Sequence, residues 1–189
     1  MLERDFASVL HAAARGDENA FARLYRDAHP PLVRYLRVLA GQGAEDVAAE
    51  VWLEVARRLA RFRGDEREFR GWLFTLARRR VIDQRRYADR HPVRLTDDAE
   101  ELDRAAADDT AAAALDNMST EAVLGLIATL PAFQAEVIVL RVIAGLDVGQ
   151  VVRITGRRPG AVRMAGLRGL RRLAARLSAE AETRKGVTG

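Results

Sequence analysis

The large apolar residues of this chain recur at three- and four-residue spacing almost from end to end, and β-branched residues nowhere alternate with polar ones. That period lines one face of an α-helix and leaves no half-buried strand. The chain is therefore expected to be all-α. The pattern lapses across residues 88–119, where Pro92, an acidic run and an alanine-aspartate tract leave few apolar anchors. Such a segment buries too little to offset its ordering entropy and reads as a tether, extended or weakly helical, with a short helix open within Asp108–Asp116. Two small helical domains are expected, over residues 1–90 and 120–178, joined by a flexible acidic linker (91–119) and followed by a polar tail (179–189).

The helices can be placed from their punctuation. Phe6, Val9 and Leu10 start a stripe that Gly16-Asp17 breaks, and Asp17 can cap a helix holding Phe21, Leu24 and Tyr25. Pro30-Pro31 is read as its end and as the start of another helix, with Leu32, Val33, Leu36 and Leu39 on one face. Ala44 to Phe62 carries Val47, Val51, Val55, Leu59 and Phe62, and after Gly64-Asp65 a basic helix turns Trp72, Leu73, Leu76, Ala77 and Val81 inward. Helical signal resumes at Ser119, stops at Pro131, and resumes again to Gly145. Asp147 can cap a short helix, Thr155-Gly156 makes a tight turn, and Pro159 opens a long arginine-rich helix to about Leu177. A short helix, a glycine turn and a longer basic helix form a helix-turn-helix pattern. Leu167, Leu170, Leu173 and Leu177 are expected to pack inward.

Charge is segregated along the chain. Residues 1–90 carry 18 arginines and 14 acids, residues 91–119 carry 2 basic and 8 acidic residues, and residues 120–189 carry 11 basic and 5 acidic. Two basic modules flanking an acidic middle suggest a bipartite surface for a polyanion. Only one of the 31 basic residues is lysine, Lys185. Arginine's planar fork suits phosphates and guanine edges, although the bias also follows from a GC-rich genome. With no cysteine, the chain holds no disulfide, cysteine zinc site or thiol sensor. His11, His29 and His91 lack ligand spacing, no apolar run approaches a membrane span, and the N-terminus lacks signal-peptide character. No metal, no cofactor, no catalytic constellation, no membrane insertion and a cytoplasmic location are expected.

In the helix-turn-helix, Arg157, Arg158, Arg163, Arg168, Arg171 and Arg172 can project to solvent, the first three near the end that enters a major groove. An amphipathic hairpin with solvated arginines has the same pattern. On the first basic helix, Arg78 and Arg85, and Arg79 and Arg86, form pairs two turns apart. Phe62, Phe69, Trp72 and Phe74 surround them. Charges that track phosphates and rings that stack on bases suit an opened duplex, while the same aromatics also suit a core. Glu45, Asp46, Glu50 and Glu54 read as a solvated face or as a protein-docking face.

Three blocks, GDENAFARLYRDAHPPLVRYL, GAEDVAAEVWLEVARRLARF and FRGWLFTLARRRVIDQRR, resemble region 2 of a bacterial RNA polymerase sigma factor, and LPAFQAEVIVLRVIAGLDVGQVVRITG resembles the start of region 4. The order of the blocks and the size resemble the extracytoplasmic-function class. The resemblance implies that Glu45, Asp46, Glu50, Val51 and Trp52 dock on the β′ clamp helices of core RNA polymerase. It implies that the stretch from Arg61 to Arg70, with Arg61 and Arg63, and the helix residues Trp72, Arg78, Arg79, Asp83 and Arg86 recognise and melt the −10 element of promoter DNA. It implies that Gln150, Arg157, Arg158, Arg163 and Arg168 read the −35 element, that this module touches the β flap, and that an anti-sigma factor is a partner. The linker is implied to thread toward the RNA exit channel.

The chain departs from the family's usual residues. Arg79 stands where Asn is usual, Gln150 where Glu is usual, and Ala161-Val162-Arg163-Met164-Ala165-Gly166 replaces a Thr-Val-Lys-Ser-Arg-Leu pattern. Ala165 then implies the loss of a DNA-facing arginine, with weak or activator-dependent −35 binding. Gly166 and Gly169 each weaken the helix by about 1 kcal/mol relative to alanine. Two rival readings are a stand-alone helix-turn-helix regulator and a sigma-like interaction protein without initiation activity.

Overall fold

In the computed structural model the described residues, 5–90 and 120–187, are helical with no strand among them. Helix α1 (Phe6–Ala14) ends at Arg15, and Gly16 takes a φ of 94° at the turn. The Asp17 side chain then accepts the Ala20 N–H at 2.9 Å and starts α2 (Glu18–Ala40).

Helix α2 runs through Pro30 and Pro31, where the sequence reading placed a break. Proline inside a helix costs about 3 kcal/mol. Leu24, Ala28, Leu32 and Leu36, on one continuous stripe across both prolines, are all buried. Burying each large aliphatic side chain stabilises by about 1.5–3 kcal/mol, so the stripe outweighs the local cost. Pro30 itself faces solvent.

Helix α3 (Ala44–Arg58) follows, tightened at its end by a 3-10 turn at Leu59–Arg61. Val47, Val51, Val55 and Leu59 are buried as their spacing predicts. Helix α4 (Glu66–Arg90) packs on α2 and α3. It takes in residues 88–90, which the sequence reading gave to the tether; the rest of that segment lies outside the described residues.

The second half holds α5 (Thr120–Ala128), α6 (Ala132–Ile138) with a π turn at Val139–Ile143, α7 (Val148–Thr155) and α8 (Pro159–Val187). Asp147 and Gln150 form a reciprocal capping box on α7. Gly156, at φ 69°, makes the left-handed turn into α8. The helix-turn-helix is therefore present as predicted.

The inward face of α8 differs from the sequence reading. Val162, Ala165 and Gly169 point into the core and Leu173 is half-buried, while Leu167, Leu170 and Leu177 are exposed. The reason is proximity to α6. A Cβ at Gly169 would stand 2.9 Å from Ile138 Cγ1, so the missing side chain is what lets the two helices meet. Small residues at 165 and 169 set the face, and the leucines are left outside. Gly125 on α5 is the opposite case, with open space where its Cβ would be. We expect Gly169→Val to destabilise the protein by about 1–3 kcal/mol through overpacking. Gly125→Ala is expected to stabilise it by up to about 1 kcal/mol. Urea unfolding of the two variants beside wild type tests both signs; a stabilised Gly169→Val would refute the close crossing.

The halves share one continuous hydrophobic core, from Leu36, Val51 and Leu73 to Val137, Leu140 and Val151. Polar groups bridge them as well. Arg67 on α4 pairs with Asp147, and the Gln150 amide donates to the Arg67 carbonyl oxygen at 2.8 Å. Arg37 on α2 lies 3.8 Å from Glu121 on α5.

Candidate nucleic-acid interface

The side chains of Arg78, Arg79 and Arg80 leave α4 in three directions, because successive helical residues turn by about 100°. Arg78 reaches toward α6, its Nε donating to Glu136 Oε1 at 2.7 Å. Arg80 reaches toward α3, 3.0 Å from Glu54 and 3.5 Å from Glu50. Arg79 stays in solvent, 3.8 Å from the exposed Asp83. Of three adjacent arginines, Arg79 alone has no ion pair to another helix among the described residues.

Arg79 belongs to a stripe. Trp72, Thr75, Arg79, Asp83 and Arg86 follow at helical spacing on one side of α4, and all but the half-buried Trp72 are exposed. Arg86 makes no ion pair among the described residues. Trp72 stacks on Phe62 with ring centroids 5.0 Å apart and planes 25° from parallel. Phe62 in turn meets Phe69 edge-on, and Phe69 is core. The aromatics thus split: Phe69 and Phe74 are buried, while Phe62 and Trp72 keep a partly open surface. Arg61 and Arg63 sit on the turn just before α4, both exposed, with Arg63 donating to the carbonyls of Ala60 and Phe62.

On the second module, Arg157, Arg158, Arg163 and Arg168 are all exposed along the turn and the first half of α8. Arg157 also lies 5.5 Å over the Phe133 ring, which steadies it by a cation–π contact. Gln150 is not with them. It is 3% exposed, its Oε1 accepting from the Asp147 N–H and its Nε2 donating to Arg67. The capping box uses up its amide. Ala165 is likewise buried, so in this fold its side chain faces the core and not a groove.

The acidic helix α3 separates similarly. Val51 and Trp52, which the family resemblance groups with a docking face, are buried. Trp52 instead donates its indole N–H to His29 Nδ1 at 3.2 Å and meets Phe21 and Tyr25. Glu54 is buried too, held between Arg58 and Arg80 at 2.9 and 3.0 Å. The outward face is Asp46, Ala49, Glu50, Leu53 and Ala56. Leu53, 58% exposed, stands on this face, and the sequence reading gives it no place there. Its signal was available: it falls between the buried positions Val51 and Val55 and breaks their stripe.

Trp72, Gly71 and Thr75 of α4 face Gln150, Arg153 and Ile154 of α7 across a cleft of about 660 Å³. At the other side of the junction, the Tyr35 hydroxyl donates to Glu136 at 3.2 Å. Burial, and then the Glu136 carboxylate beside it, raise the Tyr35 pKa well above its ordinary 10.0. The backbone N–H of Gln150, with Arg67 assisting, holds the Asp147 carboxyl below its usual value. For Tyr35 the folded state binds the proton more tightly than the unfolded chain. Its contribution is complete below pH 10.0 and falls as pH rises further. Urea midpoints at pH 8 and pH 10.5 should drop more for wild type than for Tyr35→Phe; equal drops would refute this coupling.

No described helix is long and apolar enough to cross a membrane, and the described residues contain no group of metal-ligating side chains.

Residues 24–91 match the family profile described as Sigma-70 region 2. The chain is 34% identical over 177 residues to the ECF RNA polymerase sigma factor ShbA of Streptomyces griseus, covering 89% of this chain and 93% of ShbA. It is 32% identical over 172 residues to the ECF RNA polymerase sigma factor BldN of Streptomyces coelicolor, covering 88% of this chain and 63% of BldN. It therefore spans somewhat less than two thirds of that second relative. Its fold is similar, at a TM-score of 0.63 and 21% identity, to that of the sigma factor RpoE of Bartonella quintana, solved in complex with the anti-sigma factor NepR. That likeness covers 84% of this chain and 96% of the other. With the region 2 helices, a formed helix-turn-helix and a near full-length match to ShbA, the chain belongs to the ECF RNA polymerase sigma factors.

Proposed function

We propose that this sigma factor docks on core RNA polymerase through Asp46, Glu50 and Leu53 of α3, with Glu45 at the edge of that face. On this reading the β′ clamp helices receive α3. Trp72, Arg79 and Arg86, with Arg61 and Arg63 before them, hold and open the −10 element, and Arg78 joins them once released from Glu136. Arg157, Arg158, Arg163 and Arg168 read the −35 element, and the same module meets the β flap. The protein then acts by binding energy and not by covalent catalysis. Flipping bases costs a few kcal/mol, offset by phosphate contacts, base contacts and polymerase docking. Control by an anti-sigma factor and a cytoplasmic site of action belong to the same reading.

The observation that carries it is the Trp72–Arg79–Arg86 stripe, an aromatic ring followed by two exposed arginines on one side of a helix in the matched region. A stand-alone duplex-binding regulator would need α8 alone and would leave that stripe and the α3 face without a use. Run-off transcription with core polymerase on a promoter library tests the proposal. Promoter-specific product is expected only with the protein present, and specific duplex binding without any polymerase-dependent product would support the regulator instead.

A further inference from the structure

Between Pro159 and Leu177, arginine is the only polar residue type on α8. In a helix-turn-helix the start of the second helix meets the base edges. Here that helix brings no amide, hydroxyl or carboxylate to them. The Gln150 amide of α7 is already engaged by Asp147 and Arg67. In a major groove adenine is read by Asn or Gln and cytosine by Asp or Glu. Guanine is read by Arg or Lys, and the thymine methyl by apolar side chains. Only the last two pairings are open to α8.

Packing sets which side chains could make them. Val162, Ala165 and Gly169 are buried and fix the inward direction of the helix. At about 100° per residue, the opposite direction belongs to Gly160, Leu167 and Arg171, with Met164 beside Leu167. Arg163 and Arg168 bracket this strip on its two sides, and all six residues are exposed. Met164 is 45% and Leu167 42% exposed. Gly160 has no side chain to hold the helix off a partner. Arg163, Arg168 and Arg171 make no ion pair among the described residues, whereas Arg172 and Arg176 donate to Gln134 and Thr129. The strip is thus two apolar side chains among uncommitted positive charges, with no acid nearby on the helix. That combination suits a polyanion with methyl groups on it better than an apolar protein surface. Leu170 and Leu177 lie further along and round the helix, past the part that meets bases in this motif.

We propose that Met164 and Leu167 read thymine 5-methyl groups in the major groove, so that T·A pairs mark the upstream element this chain selects, with Arg163 and Arg168 anchoring the helix on either side. A flexible thioether and a branched aliphatic end meet a methyl group without the directional demands of a hydrogen bond. This readout rests on the −35 assignment of α8 and names the base that the assignment leaves open.

The test begins with selection from a duplex library randomised across the promoter, using full-length protein on core RNA polymerase and, in parallel, the protein alone. The upstream element recovered is then remade with deoxyuridine in place of thymine, which removes only the methyl group. Wild type is expected to select thymines there and to lose about fourfold in affinity per methyl removed, the transfer worth of one buried carbon. Met164→Ala and Leu167→Ala should each bind the thymine element more weakly and lose part of the sensitivity to deoxyuridine. The double variant should not distinguish the two elements. Both side chains are exposed, so the thermal midpoint should not fall. An upstream element without thymines, no enriched upstream sequence in either selection, or equal wild-type affinity for thymine and deoxyuridine would overturn the readout. A loss shared equally by wild type and the double variant would overturn it too, because DNA shape would then be what is read. Weaker binding of the double variant to core polymerase, with no methyl effect, would put a protein on the strip instead. Run-off transcription separates the two claims. Promoter-specific product in equal yield from thymine and deoxyuridine templates leaves the sigma reading standing and removes the methyl readout. Methyl-sensitive binding by the protein alone, without product from any promoter, does the reverse.

Discussion

Leu53→Asp is expected to lower affinity for core RNA polymerase by a hundredfold or more while leaving the fold intact. Leu53 is the one large apolar side chain on the outer face of α3, 58% exposed and flanked by Asp46 and Glu50. Burying a leucine at an interface centre stabilises by about 1.5–3 kcal/mol. Placing an unpaired carboxylate there adds a desolvation cost to that loss. Each 1.4 kcal/mol is a factor of ten in affinity, so the two effects together exceed two decades. Asp46→Lys should act more weakly, and its effect should shrink as salt is added, because an exposed charge is screened. Val51→Ala is the informative contrast. Val51 is fully buried, so that variant should lower the thermal midpoint without a specific binding defect. Anisotropy titrations of labelled protein with core polymerase measure all three. Wild-type affinity in Leu53→Asp would show that polymerase uses another face.

The double variant Arg79→Ala, Arg86→Ala is expected to bind promoter with polymerase but fail to open it. Both guanidinium groups are exposed on the Trp72 stripe of α4, so neither contributes an interior contact. Losing a base-edge contact costs about 1–3 kcal/mol and losing a phosphate contact weakens all sequences alike. Two such losses should reduce thymine reactivity to permanganate near −10 by at least tenfold, with the melting temperature of the protein unchanged. Arg80→Ala should do the opposite. It leaves the buried Glu54 with Arg58 as its remaining partner and should lower stability before it affects opening. Wild-type permanganate reactivity in the double variant would remove α4 from the melting step.

Most of the helices were legible because each turns a repeating apolar stripe inward, and that requirement is local. Val47, Val51, Val55 and Leu59 are buried as their spacing demands. The caps at Asp17 and Asp147, and the left-handed turn at Gly156, rest on side chains and φ angles that short sequence windows specify. Errors arose where a distant partner decided. Pro30 and Pro31 read as a break, yet the buried stripe of α2 carried the helix through them. Leu167, Leu170 and Leu177 read as core, yet the close approach of α6 to Gly169 selected a smaller-residue face.

The candidate site divides along the same line. Composition and motif located the basic modules, and helical period put Arg79 and Arg86 on one face. Period alone gave no way to know that Arg78 is taken by Glu136, 58 positions on, or that Gln150 is spent on Arg67, 83 positions back. The sequence by itself determined the helices, the helix-turn-helix and the two basic modules, because periodicity, capping and charge act over a few residues. Which arginines stay clear of partners on other helices, which residue of α3 points outward, and how the two halves pack were decided only by the tertiary structure. Those outcomes depend on pairings between side chains brought together across the whole chain, and a partner's distance in sequence carries no trace of its distance in space.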